Sequence, residues 1–270
     1  MGKMLEKYGY SLILLRELVK TDFKLRYEGS FLGIIWSALR PLMLFGVMYV
    51  VFVHFLRFGA GIPFFAVSLL LAIVLWGFFQ ETTAAGMRSI VGRGDILRKI
   101  NIPKYVLVVS ASVSALINLG INLVVVLIFA LFSGVEFTPM ALLIIPIIIE
   151  LYAFALAVAM ILSALYVKFR DLAHIWDVIM QAGYFATPII YPLSMIIAMS
   201  PVAAKILLMN PMAQIIQDAR WAVVYQGTET VWNTLNAVPY MLVPFIIVIV
   251  VVVIGVLYFK KASKYFTEKV

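Results

Sequence analysis

The sequence predicts an all-helical membrane protein: one transmembrane domain over residues 1–270, with six spanning helices, an N-terminal interfacial helix and a re-entrant helical hairpin between the fifth and sixth spans. Three observations predict it. Of 270 residues, 64% are hydrophobic and only 13% charged, more apolar surface than a water-soluble domain can hide. The apolar residues are gathered into runs of about the twenty residues that cross a hydrocarbon core as helix. Lys and Arg alternate between loops, seventeen on one side against three on the other, which puts both termini in the cytoplasm.

The first element is the segment 3–28. Leu5, Tyr8, Leu12, Leu15, Val19 and Phe23 recur at helical spacing, and Lys3, Lys7, Arg16, Lys20, Lys24 and Arg26 supply positive charge. This is the composition of a helix at headgroup level, with its apolar side down and its cations among anionic lipids. A soluble amphipathic helix is the competing reading, and it needs a soluble domain to pack on. The segment is charged and amphipathic before any long apolar core begins, unlike a cleaved signal peptide.

Beyond Glu28-Gly29-Ser30 the spans are expected at residues 33–55, 64–87, 105–132, 140–167, 172–191 and 238–259. Arg40 lies about two turns into the first and can snorkel inward. Between the second and third spans, RSIVGRGDILRKINIPK at 88–104 holds a short helix: Gly92 and Gly94 break the preceding one, Asp95 can cap a new one, and Ile96, Leu97 and Ile100 give it an apolar side beside Arg98 and Lys99. Such a helix between two spans suits docking to a soluble partner, while a basic topogenic loop is the plainer alternative. Within the gate segment 192–224, Val202 to Val224 is largely apolar yet broken at Asn210-Pro211, which reads as two short helices hinged at the proline. Backbone at that depth must be covered by protein or face a watery cavity, hence a re-entrant cap over the outer half.

Polar groups inside spans carry a cost and need roles. Ser110, Ser114, Asn118 and Asn122 recur every four residues along the third span. They either knit helices together or line a path. Glu81 and Glu150 would serve a proton relay or find partners. His174 and Asp177, three apart, are two metal ligands without a third. No metal or catalytic residue is assigned. With no cysteine there is no disulfide or thiolate chemistry. No phosphate-binding loop, serine-nucleophile elbow or H-E-x-x-H occurs, so the chain by itself is not an enzyme and hydrolyses no nucleotide.

Four stretches in order carry a family resemblance: DFKLRYEGSFLGIIWSALRPL (Asp22 to Leu42), GDILRKINIPKY (Gly94 to Tyr105), KFRDLAHIWDVIMQAGYFATPIIYPLS (Lys168 to Ser194) and NPMAQIIQDAR (Asn210 to Arg220). Around six spans, they make the chain resemble, over almost its whole length, the membrane subunit of an ABC-2 exporter of the polysaccharide, O-antigen and teichoic acid group. The resemblance implies a bacterial plasma (inner) membrane location and two copies forming a channel. It also implies two separate ATP-binding cassette ATPases holding the ATP and Mg. Nucleic acid has no part in it.

Gly94, Asp95, Ile96, Leu97, Arg98 and Lys99 would then form the coupling helix seated in the ATPase, with Arg170 and Asp171 in a smaller second contact. The N-terminal helix would gate lateral access, and residues 192–224 would supply outer gate helices. The implied cargo is a lipid-linked glycan. Aromatic faces stack on sugar C–H surfaces, which makes Trp36, Tyr49, Phe52, Trp76, Phe79, Tyr184, Phe185 and Tyr191 candidates for the path, beside the polar stripe. Lys20, Lys24, Arg26 and Arg40 would receive the anionic headgroup. An ABC-2 exporter of a drug or small lipid, and an ion-coupled transporter using Glu81 or Glu150, are the alternatives.

Overall fold

The computed structural model describes residues 2–27, 33, 35–99, 102–235 and 238–266. Among them every regular element is helical. Helix α1 (Gly2–Tyr27) is followed by α2 (Ile35–Met48), which continues through a π-helical stretch, Tyr49–Phe55. Then come α3 (Phe65–Ser89), a 3₁₀ turn Val91–Arg93, the short α4 (Gly94–Lys99) and α5 (Tyr105–Phe132). A 3₁₀ turn Pro139–Leu143 leads into α6 (Ile144–Tyr166). After α7 (Leu172–Ala186) stand α8 (Leu193–Met199), α9 (Pro201–Leu208), α10 (Pro211–Val223) and α11 (Val231–Thr234), and α12 (Val238–Ala262) closes the chain.

Five helical segments among the described residues are long and apolar enough to cross a membrane: Ile35–Phe55, Phe65–Ser89, Tyr105–Phe132, Pro139–Tyr166 and Val238–Tyr265. They correspond to expected spans one, two, three, four and six. The fifth differs: helix was expected through Tyr191, but α7 stops at Ala186 after 15 residues. Thr187 turns extended (φ −104°, ψ 142°) because the residue before a proline, here Pro188, is driven out of the helical region. The apolar run continues while the helix does not. In the connection that follows, two short helices were expected over Val202 to Val224, and α9 and α10 stand there, preceded by a further short helix. The extra one is α8, and the break between α9 and α10 falls at Asn210, whose side chain accepts from the Met212 amide (3.0 Å) with Pro211 at the first helical position.

Helix α3 is the centre. Most of it is buried, and it packs along α5 on one side and α6 on another, with α12 behind α6. Close approach is possible because the contact positions are small. A Cβ at Gly86 of α3 would stand 2.6 Å from Cβ of Ala159 on α6, and one at Gly255 of α12 would stand 2.8 Å from the Ala157 carbonyl. Helices surrounded by lipid associate through such contacts, since burial of apolar side chains gains little there. By contrast α2 and its π-helical end bury no residue.

Candidate functional site

The expected coupling segment lies at the carboxyl-terminal end of α3. Leu97 of α4 is buried in a cluster with Ile90, Ile102, Leu107, Phe259 and Phe266, and Leu14 and Leu18 of α1 pack against that cluster. Asp95 is exposed in the first turn of α4. The side chains of Ile96, Arg98 and Lys99 lie outside the described residues, as does that of Arg26. Just before Gly94, Arg93 donates to Asp22 of α1 and to the hydroxyl of Ser110 on α5 (3.0 Å). Lys104 donates to the Ser263 carbonyl (2.8 Å), tying this end to the carboxyl-terminal segment.

Arg170 and Asp171 are exposed in the turn before α7, with the Arg170 guanidinium 5.4 Å from the centre of the Tyr166 ring. Asp177 faces Arg88 across 4.0 Å, and no group of three or more metal-ligating side chains occurs among the described residues. Lys20, Lys24 and Arg40 are exposed.

The polar stripe of α5 lies largely inside the packing. Ser110, Ser114 and Asn118 are buried. Ser114 donates to the Ser110 carbonyl (2.9 Å), Asn122 to that of Asn118 (2.9 Å), and Asn118 donates to Glu81 on α3 (2.8 Å). These bonds bring Glu81 and the stripe together between α3 and α5, and each keeps a polar group satisfied where lipid supplies no partner.

The candidate rings divide into two sets. Trp36, Tyr49 and Phe185 are exposed on the outside of the chain, and Phe52 is half-buried against Phe58, 5.6 Å between centres. Trp76 and Phe79 are core residues of α3. Around them runs an aromatic column that the sequence did not reveal. Tyr184 meets Trp76 edge-on at 6.1 Å, Trp76 meets Phe79 at 6.1 Å, and Phe79 stacks on Phe154 of α6 at 5.2 Å and lies 6.5 Å from Trp176. The Trp176 indole donates to the Thr83 hydroxyl (3.0 Å), and the Tyr191 hydroxyl donates to the Phe185 carbonyl (3.1 Å).

Near the amino-terminal end of α3 two polar constellations sit on α10. Arg220, 3% exposed, donates to the carbonyls of Ser68 (3.1 Å), Pro188 (2.7 Å) and Ile189 (2.8 Å) and to the Gln217 side chain (2.8 Å). Burial pulls its pKa down to about 10, against the opposing influence of Glu229, so it remains a cation at neutral pH. The helix break that Pro188 forces leaves carbonyls in need of donors, and Arg220 supplies them. One turn earlier, Gln214 donates to Asp218 (2.7 Å) and weakly to Glu150 of α6 (3.5 Å). Burial raises the Asp218 pKa to about 6, while the Gln214 amide acts to lower it. A cavity of about 120 Å³ opens beside Arg220, walled by Ser68, Leu193, Gln217, Tyr225 and Glu229.

Comparison with known proteins adds the following. Residues 13–224 match the family described as ABC-2 type transporter. The O-antigen export system permease protein RfbA of Myxococcus xanthus is 32% identical over 212 residues, covering 78% of this chain and 80% of that protein. Two proteins of the same description from Klebsiella pneumoniae are 27% and 26% identical over 267 residues, 98% of each chain.

Proposed function

The chain belongs to the ABC-2 type transporter family, and on that premise we propose that it is the membrane subunit of an ATP-driven exporter of a lipid-linked polysaccharide. The observation that carries this reading is similarity running end to end, over 98% of both chains, to permeases described as O-antigen exporters. A second copy and two ATPase subunits complete the assembly. The unburied α2 supports the second copy, because a helix with no buried residue of its own must find lipid or another protomer.

In this assembly α7, extended by the buried segment after Thr187, serves as a sixth crossing, and α8 to α10 form the re-entrant outer gate. Exposed Asp95 on α4 faces the ATPase, with Arg170 and Asp171 as the smaller contact. Closure of the ATPases around nucleotide shifts α4, and the spanning helices follow as rigid bodies. Lys20, Lys24 and Arg40 offer positive charge to a diphosphate headgroup. Trp36, Tyr49 and Phe185, exposed in the single chain, are the rings placed to meet a sugar chain. Trp76, Phe79 and the α5 stripe support the walls behind them.

Purification of the tagged chain from its native membrane in mild detergent tests this. A stoichiometric partner carrying nucleotide-binding motifs, with vanadate-sensitive hydrolysis, is expected. Deletion of the gene for the chain should leave undecorated glycan on the cytoplasmic side. An ATPase-free oligomer that still transports would overturn the reading.

A further inference from the structure

Arg93 occupies a position that nothing in the sequence distinguished from its basic neighbours. It ends the 3₁₀ turn Val91–Arg93 and leads directly into α4. One amino group of its guanidinium donates to Asp22 Oδ1, 71 residues away on α1, and the other donates to Ser110 Oγ on α5 at 3.0 Å. The ion pair is largely withdrawn from water, with the two side chains 19% and 22% exposed. Asp22 is half-buried while Lys20 and Lys24 on either side of it are exposed. The Asp22 carboxylate turns toward the packed helices to meet Arg93.

A charged, partly desolvated hydrogen bond is among the stronger contacts available to a helix end. Arg suits it, because the planar fork aims two separate nitrogens at acceptors on different helices, where the donors of a lysine ammonium all radiate from one nitrogen on a flexible stem. Chain connectivity alone carries a displacement of α4 into α3 and α5, its neighbours in sequence. It does not carry one into α1, which precedes α4 by two helices. Leu14 and Leu18 of α1 pack on the cluster that also holds Leu97, but apolar packing allows sliding, whereas a directed ion pair sets a register.

We propose that Arg93 is a positioning residue for transport: it latches α1 and α5 to α4, so that movement of the ATPase-docking helix shifts the amphipathic α1 together with the bundle. The proposal rests on the reading of α4 as the docking helix. It assigns Asp22 as the acceptor on α1 and Ser110 as the anchor on α5, which gives the first polar residue of the α5 stripe a mechanical role.

The experiment uses the complete complex with its ATPase in liposomes, comparing Arg93→Lys, Asp22→Asn, Ser110→Ala and the exchanged pair Asp22→Arg/Arg93→Asp. ATPase co-purification, ATP hydrolysis and glycan export are read separately. Co-purification and hydrolysis are expected within twofold of the parent for every variant. Export should fall at least tenfold for Asp22→Asn, threefold for Arg93→Lys and Ser110→Ala, and return to within threefold in the exchanged pair, which restores the ion pair between α1 and the start of α4. Export losses that merely track loss of the protein from the membrane, export at the parental rate in Asp22→Asn, or no recovery in the exchanged pair would overturn the latch. If the parent complex brings down no ATPase, the docking reading of α4 falls and the latch falls with it. Normal co-purification with unaffected export sinks the latch alone.

Discussion

Arg220 and Arg93 stand beyond opposite ends of α3, and each guanidinium joins three parts of the chain, yet their acceptors differ in kind. Arg220 is 3% exposed and spends three of its bonds on main-chain carbonyls, of Ser68, Pro188 and Ile189. Arg93 bonds two side chains, Asp22 and Ser110, at a site still reached by water. A main-chain carbonyl moves only when its backbone moves, so Arg220 fixes a shape. A carboxylate and a hydroxyl belong to side chains carried by their helices, so Arg93 joins elements to one another rather than fixing a local backbone shape. One end of α3 is held through backbone, the other through side chains.

This contrast orders the expected effects of substitution. Arg220→Met should be the most damaging, because it strips donors from the break after α7 and leaves carbonyls buried unpaired. A loss of about 3–5 kcal/mol is expected, read as failure to recover folded protein in detergent. If Arg220→Met melts within a few degrees of the parent, the end held through backbone is no more rigid than the one held through side chains. Asn118→Ala, which removes the 2.8 Å bond to Glu81 midway between the two arginines, should cost about 1 kcal/mol, in line with hydrogen bonds between helices in membranes. Thermal unfolding followed by tryptophan fluorescence measures it. Least of all, Asp177→Asn breaks a 4.0 Å contact between side chains 54% and 59% exposed, and a change below about 0.5 kcal/mol is expected. A larger effect there would mean that the surface near α7 is covered in the assembly.

Much of this organisation was legible in the residues. Apolar runs located five of the spans because hydropathy reports directly on length in a bilayer, and Gly92, Gly94 and Pro103 marked the borders of the short helix α4. Pro188 also announced the end of α7, but the apolar run to Tyr191 outweighed it, since hydropathy does not distinguish helix from buried extended chain. What stayed hidden was the identity of the central helix. All the spans are apolar, and lipid is as apolar as a protein core, so nothing in composition separated α3, with Trp76 and Phe79 inside it, from α2, which packs on it only with half-buried side chains. The two arginines were hidden for another reason. Charge is visible in a sequence and a partner 71 residues away is not.

The brevity of α7 reaches past the protein into the bilayer. Its 15 residues rise about 22 Å, against about 30 Å of hydrocarbon. Ile175, Val178, Ile179 and Phe185 are exposed along it, a greasy face too short for the oil it stands in. Lipid meets such a mismatch by pinching inward. A bilayer matched to this face alone would be thinner beside α7 than beside the longer helices Phe65–Ser89 and Tyr105–Phe132.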